Sequence, residues 1–571
     1  MRTVLRLSSF VVVFFLVAQC AFGQGAATGD LHIIVKDPKG SVVTNATVTV
    51  RDVAKGLERV ASNDGQGGYS VRQLAPGTYS LTVDAAGFAK AEDSAVAISV
   101  GQIAELPIGL TVATGKEIVE VSSQAEIIET SRSSTTDTIG ERRIDNLPIN
   151  GRNYIQFTLT DSQIQRDSSP QIGAAPTSGL NMSGQRARSN LVNVDGADAT
   201  DNSTDGVRST VSQEDVQEFQ IITNNYAAEY GRAAGGVVNI ITRSGSNDFH
   251  GDMYGYLRNR NFQAVNPFST TSNPAYTRVQ AGTAFGGALK KDKTFYFFSY
   301  EVTRRHETGF SSVGQDCNAP NSATCFGLSQ LPGTNILLTP GATPESQLGF
   351  LADPTVQAVE ASSPAYAAEV AQYVAFAGAS SGQAIYGQWP TALTGGIAGI
   401  VGFPTTCTTP GTCFVPTSYQ PLGPQGGNFP VFEGTSLYAF RIDHNINSGN
   451  RLTLRVNASP STVTGIEGSG QDQPFGQNAY SRTSQTTYRD VAGVAQDTWT
   501  LGASKVNEFR FQYARRGLNY FYNTQIAAGA DPAVNIPGYG YFGREPYSYI
   551  ARTETRYQFT DNFSWSIGRH A

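Results

Sequence analysis

The sequence predicts a mainly β protein, with a small β-sandwich in front and an antiparallel β-barrel wall behind it. Two patterns along the chain and one in its composition support this prediction. Residues 29–112 alternate apolar and polar side chains between closely spaced turns, and the residues after 245 alternate again in longer, aromatic-rich runs. Charged residues make up only 15% of the 571, whereas glycines number 60. Such a composition is typical of many strands and many turns.

The first 23 residues have the pattern of a secretory signal peptide. Two arginines precede the apolar run SSFVVVFFLVA, which is too short to span a bilayer, and the small residues after it favour cleavage before Gln24. A lipid anchor on Cys20 is the alternative, although Gln19 stands where a small residue is usual. We therefore expect an exported protein. No later window is apolar for 18 residues, which excludes a helical membrane protein.

The charge balance and the histidines exclude several classes of function. The formal net charge is -6, whereas a nucleic-acid-binding chain needs a basic face. The five histidines are scattered through the chain, without a nucleophile and base pattern or a metal-ligand spacing around them. The sequence therefore predicts no enzyme, no cofactor and no nucleic-acid partner.

Residues 24–112 are predicted to form the β-sandwich. Short segments rich in Val, Ile, Thr and Tyr, such as LHIIVKD and TYSLTVD, are separated by turns. The spacing G-x-Y-x-V-x-x-L-x-P-G-x-Y-x-L-x-V, from Gly68 to Val83, resembles the carboxypeptidase regulatory-like domain. That resemblance implies a transthyretin-like β-sandwich that acts as a spacer or a ligand-binding accessory, with carbohydrate binding as one implication. A passive structural module is the alternative.

Residues 113–135 form a polar connector that contains an extended, β-branched segment, Ile118-Val119-Glu120-Val121. Such a segment can add as a strand to the sheet edge of a partner, where backbone hydrogen bonds supply most of the affinity. The alternative is that it forms the last strand of the sandwich. The residues alone leave both interpretations open.

An acidic loop follows a predicted strand that ends in the turn Asp195-Gly196. Asp198, Asp201 and Asp205 follow in this loop, so that a calcium site is one hypothesis for it. The carboxylates do not have the spacing of an EF-hand, and a solvated loop is the default interpretation. Asp195, Asp198 and Asp201 remain the candidate ligands of an ion.

Five sequence blocks occur in a fixed order between about residue 144 and residue 304. They are LPINGRNY, NVDG, VQEF, AEYGRAAGGVVNIITRSGSNDFHG and FGGALKKDKTFYFFSYEVTR. In this order, behind a regulatory-like domain, they resemble the Oar-like TonB-dependent outer-membrane receptors. The resemblance implies that residues 113–245 hold a TonB box and an α/β plug domain that fills a barrel lumen. The implied TonB-contact residues are Glu117, Ile118, Val119, Glu120 and Val121.

Residues 246–571 are predicted to begin a transmembrane β-barrel. In the first strand, Phe249, Met253 and Leu257 share one face, and Tyr254 and Arg258 lie on the other. Hydrocarbon cannot satisfy polar groups, so the apolar face should meet lipid and the polar face the lumen. About eight strands are expected after residue 245, whereas plugged barrels have about 22. We therefore expect the N-terminal portion of a longer receptor, with an incomplete barrel.

A long segment at about residues 306–433 interrupts the wall pattern and is rich in Gly, Pro, Ser and Thr. Barrels have short periplasmic turns and long extracellular loops, so a long extracellular loop is predicted here. A ligand-contacting or gating role is one hypothesis, and a surface insertion without a fixed role is the other. Two local disulfides are favoured over a zinc site for four closely spaced cysteines. These are Cys317, Cys325, Cys407 and Cys413.

Together these observations predict a TonB-dependent receptor and transporter in the outer membrane of a Gram-negative-type bacterium. The resemblance implies three partners: a TonB-type energy-transducing protein in the periplasm, outer-membrane lipid, and an extracellular ligand. A glycan, a siderophore, a peptide and a protein are all open as the ligand. The alternative function is a cell-surface carbohydrate-binding or adhesion protein without active transport.

Overall fold

A computed structural model of the protein describes most of the chain. The described residues are 27–113, 118–120, 134–146, 149, 152–166, 180–186, 189–201, 211–227, 230–231, 233–264, 274–311, 358, 361–362, 364, 427–466, 479–530, 534–536, 540–545 and 548–567. The predicted signal peptide, the four candidate disulfide cysteines and most of the predicted long loop lie outside them. The chain is mainly β, as predicted, and its described part contains 26 strands.

The N-terminal part is a two-sheet sandwich. One sheet has the strand order β4-β5-β1-β8 and the other β3-β2-β6-β7-β9. The strands are β1 (Gly29–Lys36), β2 (Thr47–Asp52), β3 (Glu58–Val60), β4 (Ser62–Asn63), β5 (Gly68–Leu74), β6 (Gly77–Asp84), β7 (Lys90–Ile98), β8 (Ile103–Gly109) and β9 (Ile118–Glu120). In β1, Leu31, Ile33 and Val35 are at most 1% exposed, and the side chains between them are partly exposed. This period of two places one face of each strand in the core.

The segment predicted to contact TonB lies at the edge of the second sheet. Strand β9 runs parallel to β7, and Ile118, Val119 and Glu120 lie opposite Lys90, Ala91 and Glu92. Glu117 and Val121 lie outside the described residues. The backbone of β9 thus has the place that the alternative interpretation gave it, as the last strand of the sandwich.

Residues 134–243, here called the inner domain, form a five-stranded sheet in the order β10-β15-β16-β13-β14 and a separate two-stranded sheet of β11 and β12. The elements are β10 (Thr135–Gly140), α1 (Glu141–Asn146), β11 (Ile164–Arg166), β12 (Leu180–Met182), β13 (Leu191–Val194), β14 (Ala197–Asp198), β15 (Val216–Asn224) and β16 (Val237–Thr242). Two 3-10 helices, Tyr154–Thr160 and Gln213–Asp215, connect them. All six residues of the central strand β16 are buried, which explains its continuous β-branched sequence.

Gly235 and Gly236 precede β16 and have a role in packing. A Cβ on Gly235 would lie 2.4 Å from the Asn190 Oδ1, and a Cβ on Gly236 would lie 2.4 Å from the Met182 Sδ. Neither glycine has a positive φ angle. It is therefore the close approach of neighbouring side chains that favours glycine here.

The C-terminal part is an antiparallel eight-stranded sheet in the order β17-β18-β19-β20-β21-β22-β23-β26, here called the wall. The strands are β17 (His250–Asn259), β18 (Tyr276–Lys290), β19 (Thr294–Ser311), β20 (Gly427–Asn447), β21 (Asn450–Ile466), β22 (Ser484–Leu501), β23 (Lys505–Tyr522) and β26 (Ile550–Trp565). A separate hairpin consists of β24 (Val534–Ile536) and β25 (Gly540–Phe542). Short turns join β18 to β19, β20 to β21 and β22 to β23 at one rim.

The two faces of the wall differ as the alternation predicted. On β17, Phe249 just before the strand, Met253 and Leu257 are 74%, 86% and 58% exposed. On β23, Glu508 and Arg510 are at most 2% exposed, and Phe509 between them is 44% exposed. The apolar side chains therefore lie on the outer face, and the polar ones lie on the inner face against the inner domain.

The sandwich contacts the rim at which the short turns lie. The Asn247 backbone N–H donates to the Ala54 carbonyl at 2.9 Å. The Gln73 amide donates to the Ser564 hydroxyl at 2.9 Å, and the Arg72 Nε donates to the Ser566 hydroxyl at 3.0 Å. The sandwich is therefore positioned beneath the lumen of the wall.

Candidate functional site between the inner domain and the wall

The acidic loop after β13 contacts three different wall strands through ion pairs. Asp195 lies 2.8 Å from the Arg455 Nε on β21. Asp198 lies 2.8 Å from the Arg556 Nη1 on β26, and Asp201 lies 2.6 Å from the Arg516 Nη1 on β23. These side chains are all largely buried. The loop is thus held to the inner face of the wall by charge.

Asp195 has hydrogen-bond partners besides Arg455. Its carboxylate accepts hydrogen bonds from the Thr242 backbone N–H at 2.9 Å and from the Thr242 hydroxyl at 2.7 Å. The Arg441 Nη1 lies 3.7 Å away. Burial by itself would raise the pKa of Asp195, but Arg455, Arg441 and the Thr242 bonds outweigh burial and lower this pKa. Asp195 is therefore held in its charged form.

The turn that presents Asp195 depends on its sequence. Asp195 and Gly196 have φ angles of 49° and 72°, as a two-residue Asp-Gly hairpin turn between β13 and β14 requires. The Arg510 Nη1 donates to the Gly196 carbonyl at 3.0 Å. A Cβ at this position would lie 2.4 Å from the same guanidinium nitrogen. Glycine is needed here for both conformation and space.

The candidate ion ligands do not converge on one point. Asp195, Asp198 and Asp201 are each paired with a separate arginine, which supplies the positive charge that a bound cation would supply. Within the described part of the chain, no group of three or more His, Cys, Asp or Glu side chains could hold a metal ion. The geometry assigns these carboxylates to the contact with the wall.

A second cluster lies on the inner face of the wall beside Thr242. Asp443 is 1% exposed and accepts from the Arg441 Nε at 2.9 Å, the Arg451 Nη2 at 2.6 Å and the Thr453 hydroxyl at 2.8 Å. Arg441 also donates to the Thr242 carbonyl and hydroxyl, both at 2.9 Å. Arg441 therefore links the end of β16 to the wall.

Arg152 forms another anchor that the sequence reasoning missed. It lies in the block LPINGRNY, and its guanidinium contacts the carboxylates of Glu214 and Glu301. It also lies 3.9 Å from the centroid of the Tyr254 ring on β17. The Asn-Gly pair before Arg152 is a turn signal in the sequence. Arg152 itself has a φ of 53°. No pattern near Arg152 identifies Glu301, which is 149 positions away.

The sandwich also contacts the inner domain, through strand β15. The Glu218 carboxylate accepts from the Val100 backbone N–H at 2.5 Å, and the Gln220 amide donates to the Val100 carbonyl at 2.9 Å. The Gln217 amide donates to the Pro76 carbonyl at 3.0 Å. Burial raises the pKa of Glu218 to about 7, although the hydrogen bonds from Val100 and Ser99 act in the opposite direction.

Comparison with known families identifies the class of the protein. Residues 241–571 match the model of the outer membrane beta barrel domain, and residues 30–111 match the carboxypeptidase regulatory-like domain. The first match covers more than half of the chain, so that this protein belongs to the outer-membrane β-barrel domain family. The predicted β-barrel domain, the predicted regulatory-like domain and the outer-membrane location are thereby confirmed. Among the helices that the structure describes, none has the length and apolar character needed to cross a membrane.

Among curated relatives, the chain is 25% identical over 319 residues to the TonB-dependent transporter Oar of Myxococcus xanthus. That match covers 54% of this chain and 30% of the relative. The relative is a transporter, in agreement with the prediction that the chain is not an enzyme.

Solved outer-membrane transporters and receptors show low similarity to the chain. The outer membrane transporter YddB of Escherichia coli has a TM-score of 0.43 at 9% identity, with 76% of this chain and 45% of that chain covered. A mutant of the ferric enterobactin receptor PfeA of Pseudomonas aeruginosa, in complex with enterobactin, has a TM-score of 0.38 at 13% identity, with 75% and 46% covered.

Proposed function

We propose that this chain belongs to a TonB-dependent receptor that imports an extracellular ligand through a plugged barrel, with the inner domain as the plug. The supporting observation is the set of ion pairs from Asp195, Asp198 and Asp201 to three strands of the wall. When a domain is held in a lumen by charged and polar contacts, water can replace these contacts as the domain moves. A domain joined to the wall by an apolar core would lose that core on moving.

The energy for this movement would arrive from the periplasm through the segment Glu117–Val121. The segment contains β9 and precedes β10 in the chain, so that a pull on it would be transmitted along the chain to the first strand of the inner domain. Strand β9 pairs with β7 on one side. A TonB-type partner would add its own strand to the other edge of β9, or would replace β7.

A binding experiment with the periplasmic domain of the TonB-type protein from the same organism tests this proposal without knowledge of the ligand. The variant Ile118→Pro/Val119→Pro removes two backbone donors, and we expect it to weaken binding by at least roughly tenfold in titration calorimetry. The control Ile118→Ala/Val119→Ala keeps both donors and should bind like the wild type. Equal binding by the proline variant would contradict the assignment of the segment.

The same experiment separates transport from the alternative of carbohydrate binding or adhesion at the cell surface. An adhesion protein needs no energy-transducing partner, so that wild type without measurable affinity for the TonB-type domain would favour this alternative. A ligand-contacting role of residues 306–433 is part of this proposal, which leaves the chemical class of the ligand open. Deletion of the segment between β19 and β20 should abolish ligand binding if it contacts the ligand.

A further inference from the structure

A chamber with a volume of about 110 Å³ lies where the sandwich, the inner domain and the rim of the wall meet. All three parts contribute charged side chains to its lining. The cationic ones are Lys55, Arg59, Arg441, Arg451 and Arg455, and the acidic ones are Asp52, Asp195 and Glu508. A cavity of this size has room for several water molecules or one small anion.

The acidic side chains of the lining already have partners. Asp52 accepts from the backbone N–H groups of Ala54 and Lys55, each at 3.0 Å. Glu508 accepts from the Arg510 Nη2 at 2.5 Å and from the Gln496 amide at 2.8 Å. Asp195 is paired with arginines of the wall, as described above. These carboxylates are thus engaged, and none of them forms an ion pair within 4.0 Å with a cation of the sandwich.

Two cations of the sandwich have acidic groups nearby but form no close ion pair with them. The charges of Asp443 and Asp52 act on Lys55, and that of Asp30 acts on Arg59. No carboxylate oxygen of the described residues lies within 4.0 Å of the Lys55 ammonium or the Arg59 guanidinium, and Lys55 is only 7% exposed. The Arg59 Nη1 donates to the Arg72 carbonyl at 2.6 Å, but its buried Nε has no hydrogen-bond partner. On the wall side, the buried Nε of Arg451 is also without one.

We propose that this chamber binds an anionic solute that carries carboxylate or phosphate groups, with Lys55 and Arg59 as its main contacts. Burial of a cation without a close ion pair is unfavourable, and an anion in the chamber would offset this cost. Ammonium and guanidinium groups both form charge-assisted hydrogen bonds with such anions. For an imported ligand, the inference rests on the proposed function. The chamber would then be the last binding site before the periplasm and would select anions.

The ionisation of Lys55 supplies an independent signature of the site. Burial lowers the pKa of Lys55 to about 8. The charges of Arg451 and Arg441 act in the same direction, and those of Asp443 and Asp52 act in the opposite direction. A bound anion favours the charged ammonium, so that binding above pH 8 must be accompanied by proton uptake. The affinity should therefore fall as the pH rises from 7 to 9.

Titration calorimetry on the purified chain in detergent micelles, with pyrophosphate and citrate as separate probes, tests the inference. We expect wild type to bind at least one probe, and the preferred probe distinguishes phosphate from carboxylate ligands. Lys55→Gln and Arg59→Gln should each weaken binding at least roughly tenfold. Lys39→Gln, on an exposed turn of the same sandwich, is the matched control and should bind like wild type.

The pH dependence and a second variant make the result decisive. Wild type should bind up to roughly tenfold more weakly at pH 9 than at pH 7, and Lys55→Gln should lose this difference. Lys55→Met avoids a buried unpaired polar group, so it tests the position even if the glutamine variant folds poorly. No binding of either probe, or equal affinity in wild type and the folded variants, would overturn the site. Because the TonB-type partner is absent, this outcome is separate from failure of the proposed transport.

Discussion

The interior of the inner domain and its contact with the wall differ in the chemistry of their side chains. The interior is apolar: Ile139, Phe219, Val238 and Ile240 are at most 2% exposed. The contact with the wall consists of aspartates, arginines and hydroxyl groups. An apolar core specifies a cooperative fold, whereas polar contacts in a lumen can be broken and replaced by water. The difference supports the proposal that the inner domain shifts inside the wall without unfolding.

The largest effect is expected from damage to the apolar interior. Phe219 is fully buried and its ring lies 6.3 Å from that of Phe157. Phe219→Ala should lower the free energy of unfolding of the inner domain by about 3–5 kcal/mol, through lost burial and a new cavity. Val112→Ala, at a position that is 61% exposed, is the control and should change it little.

Limited proteolysis combined with chemical denaturation checks this expectation. Cleavage of Phe219→Ala should concentrate within residues 134–243 while the wall stays resistant. Equal loss of resistance in the wall would show that the two parts unfold as one unit, and the comparison above would then fail.

A smaller effect is expected at the contact with the wall. Asp195→Asn removes the charge that faces Arg455, which is 4% exposed. The loss of one partner from a buried pair costs about 3 kcal/mol, and removal of both should cost less. Asp195→Asn/Arg455→Gln should therefore be more stable than the single variant in a double-mutant cycle.

Hydrogen exchange distinguishes loosening of the contact from unfolding. In Asp195→Asn, amides of the β13–β14 hairpin should exchange faster, whereas those of β15 should stay protected. Because the pKa of Asp195 is lowered in the fold, its contribution is present above the ordinary value of 3.8 and is lost as the pH falls through the lowered value. A change of the same size across β15 would contradict a contact-specific role.

The sequence predicted the features that depend on local periodicity. Alternation along the segment of β17 identified the outer and inner faces of the wall. It could not predict that Asp198 meets Arg556, because 358 positions separate them and many other arginines are available. The pairing of residues 118–121 could not be predicted either, because a β-branched stretch pairs equally well with its own sandwich or with a partner.

The contact between the sandwich and the inner domain should show the smallest effect, as a dependence on pH. Glu218 is buried against Val100, and burial raises its pKa to about 7 from an ordinary value of 4.5. A raised pKa means that the protonated form is the one stabilised. The contribution of Glu218 to docking is therefore complete below about pH 4.5 and is lost as the pH rises through about 7.

Exchange of the Val100 amide between pH 5 and pH 8 measures this docking once the intrinsic pH dependence of exchange has been subtracted. In wild type, protection should fall as the pH rises, whereas Glu218→Gln mimics the protonated acid and should keep its protection across the range. Glu92→Gln, on a strand of the sandwich away from this contact, is the control and should follow wild type. If Glu218→Gln retained the full pH dependence, another titratable group would have to control docking.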